Sequence, residues 1–185
     1  MKNMKNTKTL VWAAVFLALG LILPFFTGQI PEIGGKLLPM HIPVLLCGFV
    51  CGWKYGLLIG FITPLFRSML FGMPPLLTAL GMAFELAAYG AVTGILYHRL
   101  VKSKARIYIS LGIAMLVGRM IWGPVSIGIY GFSGSPFTWQ IFLAGSFLNA
   151  IPGIILQLVA VPALILAFEK SGVVNINEEY HTRTC

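Results

Sequence analysis

The chain has 185 residues, of which 58% are hydrophobic and only 10% charged, with a mean hydropathy of +0.90. Soluble domains carry about a quarter charged residues, so a water-soluble globular enzyme is excluded. The net charge of +8 and pI near 9.7 raise nucleic acid as a partner, but no basic run is interleaved with aromatics along a groove, and no nucleic-acid partner is expected.

A bilayer crossing takes about 20 apolar residues, so the chain fits roughly six crossings with no separate soluble domain. The expected fold is an all-α integral membrane protein, residues 1–185 forming one membrane domain of six transmembrane helices in a compact bundle. The apolar runs predict helices over Thr9 to Phe26, Leu37 to Trp53, Tyr55 to Phe71, Pro75 to Tyr97, Ile107 to Phe132 and Ile141 to Phe168. The breaks between them are rich in glycine, proline or polar residues: TGQIPEIGGK, WKYG, GMPP, HRLVKSKAR and GFSGSPFTWQ. The basic start, Lys2 to Lys8, resembles that of a signal peptide; no small-x-small cleavage site precedes Gly28 and further spans follow at once, so the first helix reads as retained. Residues Gly172 to Cys185 form a polar tail that is expected to fray.

Charge placement sets the orientation. Lys2, Lys5, Lys8, Lys54, Arg99, Lys102, Lys104, Arg106, Lys170 and Arg183 fall on tails and connectors sharing one side, with Lys36 alone on the other. The positive-inside rule then puts both termini in the cytoplasm.

Prolines at positions 24, 39, 43, 64, 124, 152 and 162 predict kinks, either around a cavity or as ordinary membrane-helix usage. Gly48, Gly52, Gly56 and Gly60 step by four, as do Ala83, Ala87 and Ala91, which predicts close helix packing. Cys47 and Cys51, at i, i+4 and without a second ligand pair, read as small packing residues; no metal or other cofactor is expected. Cys185 lacks a prenylation pattern.

An ionisable residue at membrane depth is costly and by default a functional candidate. Glu85, ten residues beyond Pro75, lies about 15 Å deep on the fourth helix. Arg119 is near the middle of the fifth, Arg67 toward the outer end of the third, His41 near the outer end of the second, and Asn149 in the first turns of the sixth. All five fall in the outer half or at the midplane, and they form the predicted substrate-binding set. Two arginines against one glutamate would leave positive charge for a carboxylate or phosphate, which the guanidinium fork pairs bidentately. The opposing reading is a structural Glu85–arginine bridge with Arg67 snorkelling to the interface. Gln157, lying deeper, is assigned to a packing hydrogen bond. Phe25, Phe26, Phe71, Phe132, Phe137 and Trp139 either cover a pocket or anchor the interface, and the connectors after the first and fifth helices are candidate lids.

Enzyme signatures are missing. The chain has no aspartate and only three histidines, two of them, His98 and His181, at cytoplasmic positions. GFSGS (Gly131 to Ser135) lacks the strand-to-helix context of a nucleophile elbow, and no Walker sequence occurs. No catalytic residue is expected, and ATP-driven transport would need an ATPase on another chain.

Four segments resemble a known family: LLPMHIPVLLCGFVCGWKYG (Leu37 to Gly56), PLFRSMLFGMPP (Pro64 to Pro75), MAFELAAYG (Met82 to Gly90) and LNAIPGIILQ (Leu148 to Gln157). From about Thr9 to Glu169 the chain resembles an S component, the substrate-binding subunit, of a bacterial energy-coupling factor (ECF) transporter of the vitamin-uptake type. The look is closest to the branch of pantothenate and related vitamin-precursor carriers. Pyridoxine-type compounds, hydroxymethylpyrimidine and queuosine precursors stay open as ligands. The resemblance implies a plasma-membrane protein that binds its vitamin from outside, beneath the first connector. It also implies docking to a coupling module of one transmembrane protein and two ATPases. Ala14 and Ala18 match the family's alanine-x-x-x-alanine docking face on the first helix. The competing functions are a self-sufficient secondary carrier, for which Glu85 is the one acidic candidate at depth, and a small membrane hydrolase, which lacks acid–base partners.

Overall fold

The computed structural model describes residues 2–27, 38–101, 103–132 and 151–171. Among them are six α-helices and no strand: α1 (Lys2–Ile22), tightening into a 3-10 turn (Leu23–Thr27), α2 (His41–Cys51), α3 (Trp53–Phe71), α4 (Leu76–Arg99), α5 (Ala105–Phe132) and α6 (Ile151–Ser171). Four segments are long and apolar enough to cross a bilayer: Thr7–Phe26, Leu76–Arg99, Ala105–Gly131 and Ile151–Ser171. Helix α2 is apolar but has only 11 residues, about 16 Å of rise. In α3, Lys54 and Arg67 dilute an otherwise apolar run of 19 residues.

The boundaries follow local chemistry. Helix α1 begins ahead of the expected Thr9, because nothing in KNMKNTK breaks a helix. It ends at Ile22, where Pro24 has no N–H to continue the ladder. Helix α2 starts at His41 instead of Leu37: Pro39 occupies a turn, and Leu38 takes a φ of 49°. Pro43 sits in the first turn of α2, where a proline costs no hydrogen bond, so the kink expected there does not form. Pro64, Pro124 and Pro162 do lie inside helices. Helix α5 begins two residues early, with the Ala105 N–H donating to Ser103 Oγ at 3.1 Å. Of the expected sixth helix, residues 141–150 lie outside the described residues, as do residues 28–37 and 133–140 of the candidate lids and the polar tail.

Gly52 divides α2 from α3. Its φ of 84° and ψ of 173° belong to a region essentially closed to side-chain-bearing residues. The two helices fold back there, and both lie on α4, which also packs against α5. Contact is backbone to backbone. A Cβ at Gly56 would collide with the Gly90 carbonyl, one at Gly90 with the Gly56 carbonyl, and one at Gly60 with the Leu86 carbonyl. Gly48, Gly56 and Gly60 therefore form the small-residue face expected from the sequence, while Gly52 is the break in it.

The apolar core draws on every helix: Phe16 from α1, Leu45 and Phe49 from α2, Ile59 from α3, Tyr89 and Tyr97 from α4, Leu111 and Met115 from α5, and Val161 and Ile165 from α6. Cys47 is buried within it and Cys51 is half-buried. At the end where α4 gives way to α5, the Tyr97 hydroxyl donates to Glu169 Oε1 at 2.5 Å, and Arg106 Nη2 donates to Tyr97 Oη at 2.9 Å and to Glu169 Oε1 at 3.2 Å. This triad ties α4, α5 and α6 together.

Candidate functional site

The sharpest concentration of buried polarity centres on Glu85, which is 2% exposed. Arg119 Nη1 lies 3.1 Å from Glu85 Oε1, an ion pair between α5 and α4. Tyr89, one turn along α4, donates its hydroxyl to the same oxygen at 3.0 Å. His41 Nε2 stands 3.9 Å from that oxygen, beyond hydrogen-bonding distance. The imidazole and the Tyr89 phenol are neighbours, with ring centroids 5.3 Å apart. Three helices thus deliver side chains to one carboxylate.

The seam between α4 and α5 explains why Arg119 can reach. Thr78 and Tyr130 hydroxyls lie 3.1 Å apart near one end of it. Gly81 makes room for Ser126 and Trp122: a Cβ there would sit 3.2 Å from Ser126 Oγ. At the level of Glu85 the side chain at 118 is missing altogether, which lets α5 lie against Tyr89 with Arg119 alongside.

This arrangement leaves donors unused. Neither ring nitrogen of His41, nor Arg119 Nη2, has a hydrogen-bond partner among the described residues, although both side chains are buried. An unmet polar group in a hydrocarbon environment costs several kcal/mol, so this corner is chemically incomplete. A ligand oxygen accepting from Arg119 Nη2 and from His41 would complete it, and a carboxylate offers enough lone pairs for both.

Of the predicted site residues, the structure brings His41, Glu85 and Arg119 together. Arg67 has other partners. It is 4% exposed, so it does not snorkel to the surface. Its Nη1 donates to the Leu21 carbonyl at 2.7 Å, and its guanidinium carbon lies 5.1 Å from the Phe25 ring centre and 5.6 Å from that of Phe71. Those two rings meet edge to face with centroids 4.9 Å apart. A cation at the carbonyl end of α1 is favourable for the helix dipole as well. The surplus positive charge inferred from counting two arginines against Glu85 is therefore divided: Arg119 is ion-paired and Arg67 is spent on the end of α1. Asn149 lies outside the described residues, as do Phe137, Trp139 and the side chain of Phe132.

Sequence reasoning missed one residue of this cluster. Tyr89 was passed over, although its i, i+4 spacing from Glu85 puts both on one helix face. Gln157 was assigned to a packing hydrogen bond. It is 1% exposed, and its amide nitrogen has no partner among the described residues. Among the described residues no three His, Cys, Asp or Glu side chains converge as metal ligands.

Ala14 and Ala18 are exposed on α1, on an outward face that also carries Leu10, Val11, Val15, Leu19 and Ile22. The two small residues thus lie in an apolar surface left exposed by the described helices.

The family model for the substrate-specific component of ECF transporters matches residues 8–165. No curated protein and no solved structure matches the chain. With the match covering most of the sequence, and with helices able to cross a membrane, the chain belongs to the family of ECF transporter substrate-specific components, membrane subunits of a transporter and not enzymes.

Proposed function

We propose that this chain captures a small carboxylate-bearing vitamin or vitamin precursor, pantothenate-like in chemistry, from the outer side of a bacterial plasma membrane. A separate coupling module, one transmembrane protein and two ATPases, then drives uptake. The observation that carries this reading is the buried Glu85–Arg119 pair with unused donors on Arg119 and His41. A purely structural bridge would be expected to close its hydrogen bonds internally. Glu85 and Tyr89 hold the arginine in place, and its free Nη2 faces the work of binding. In this reading α2 and α3 supply two further crossings to make six, both termini are cytoplasmic, and Asn149 adds a directional contact. Arg67 organises the outer end of α1 beside the ligand entrance. Ala14 and Ala18 form the surface that meets the transmembrane coupler.

The test is direct. The full-length chain, purified in lipid nanodiscs, is assayed by mass spectrometry for a co-purifying small molecule and by calorimetry with pantothenate, pyridoxine and a hydroxymethylpyrimidine. Tight binding of a carboxylate, with ATP-dependent uptake only when a coupling module is co-reconstituted, is the expected result. Accumulation by the isolated chain in proteoliposomes would sink the reading in favour of a self-sufficient carrier.

A further inference from the structure

Four helices each place one buried polar side chain one turn from a member of the same apolar core. On α2, His41 lies one turn from Leu45; on α4, Glu85 lies one turn from Tyr89; on α5, Arg119 lies one turn from Met115; on α6, Gln157 lies one turn from Val161. Leu45, Tyr89, Met115 and Val161 all belong to one core cluster. Tyr97, Arg106 and Glu169 meet at one end of α4, α5 and α6, and Glu85, Arg119 and Gln157 lie 12, 13 and 12 residues from them along those same helices. With His41 Nε2 3.9 Å from Glu85, the four polar residues fall near one level.

Three of the four, His41, Arg119 and Gln157, carry a buried nitrogen without a partner among the described residues. The remaining buried side chain with an unpartnered polar atom among the described residues, the Ser110 hydroxyl, is adjacent in sequence to the core residue Leu111 and nine residues from Arg119 on α5. Orphaned donors gathered at one level on separate helices are not what independent packing accidents would give, because each costs free energy that substitution by leucine would recover.

We propose that Gln157 is a specificity-determining residue of the binding site, its amide N–H groups reading a neutral oxygen of the ligand, a hydroxyl or amide carbonyl, while Arg119 holds the carboxylate. The inference rests on the substrate-binding role proposed above and adds the chemical class: a carboxylate carrying a second, uncharged acceptor. Charge alone does not select among small acids. A neutral donor on α6 does, since a ligand lacking the acceptor leaves the buried amide unmet.

The experiment uses the full chain in nanodiscs and compares wild type with Gln157→Leu and Gln157→Glu, with pantothenate as the probe; besides its carboxylate, pantothenate carries hydroxyl and amide oxygens. Melting temperature without probe and Kd by calorimetry are both read. Gln157→Leu is expected to melt no lower than wild type, since it removes an unmet polar group, yet to bind pantothenate about tenfold more weakly. Gln157→Glu, which replaces the donor by acceptors, is expected to lose binding further. A lowered melting temperature for Gln157→Leu with unchanged Kd overturns the proposal and makes Gln157 a packing residue, leaving the carboxylate site standing. Unchanged Kd in both variants overturns it equally. Absence of pantothenate binding by wild type overturns the underlying site reading, and the assignment of Gln157 with it.

Discussion

Gly118 lies flush against the phenol ring of Tyr89, so close that a Cβ at 118 would overlap the ring carbons. The ring, in turn, aims its hydroxyl at Glu85. The absence of one methyl group on α5 therefore sets the position of a donor on α4. Gly118→Val is expected to push Tyr89 aside and to lower stability by about 1–3 kcal/mol, the usual cost of overpacking. Gly128→Ala, on the same helix with open space around its Cα, is the control and is expected to change the melting temperature little or raise it. Thermal unfolding in nanodiscs followed by tryptophan fluorescence distinguishes them; equal melting temperatures would contradict the packing described.

The Glu85–Arg119 pair predicts strong non-additivity. Removing either partner leaves a buried charge unmatched, which costs about 3–5 kcal/mol. Glu85→Gln and Arg119→Met are each expected to destabilise by that order. The double variant is expected to recover a large part of the loss while failing to bind a carboxylate. A double-mutant cycle by thermal unfolding, with calorimetry on the double variant, checks both halves. Additive losses would mean that the two groups do not interact in the folded protein.

For Arg67 the expected loss is local. Arg67→Met keeps the bulk but removes the hydrogen bond to the Leu21 carbonyl and the contacts with the Phe25 and Phe71 rings. A destabilisation of about 1–2 kcal/mol is expected, with faster amide exchange concentrated in the last turn of α1. Exchange unchanged there, measured by mass spectrometry, would remove Arg67 from that role.

Bulk on the outward face of α1 should leave the fold intact. Ala14→Trp and Ala18→Trp add side chains where both positions are exposed; melting temperature and pantothenate Kd are expected to stay at wild-type values. Co-purification with a coupling module is expected to be lost, because bulk prevents close helix approach. Normal co-purification of both variants would move the docking surface elsewhere.

Much of this was legible in the sequence, for a physical reason. Burying Glu85 and Arg119 in an apolar chain is so costly that their positions alone mark a site, and stepping glycines such as Gly56 and Gly60 announce a close helix contact without any knowledge of its partner. Direction was harder to read. Arg67 and Arg119 look alike in sequence, since both are lone arginines in apolar runs. Whether a guanidinium turns to a carboxylate or to the open carbonyls ending another helix depends on which helix lies beside it, and that is decided by tertiary packing. Gln157 is hard to read for a related reason: a buried amide normally finds a partner, and only the packed structure shows that its nitrogen has none among the described residues. Pro43 shows the opposite error, where a residue type that breaks helix interiors sits harmlessly in a first turn because α2 begins later than its apolar run.

The chain order of the buried ion pair bears on how the protein is made. Glu85 leaves the ribosome well before Arg119, so α4 emerges carrying an acidic group whose counter-ion has yet to be synthesised. A lone carboxylate is a poor passenger in hydrocarbon, and the penalty lifts only when α5 arrives beside it. Insertion is thereby biased toward α4 and α5 entering the bilayer as a hairpin, with the ion pair acting as the latch that commits both to the membrane.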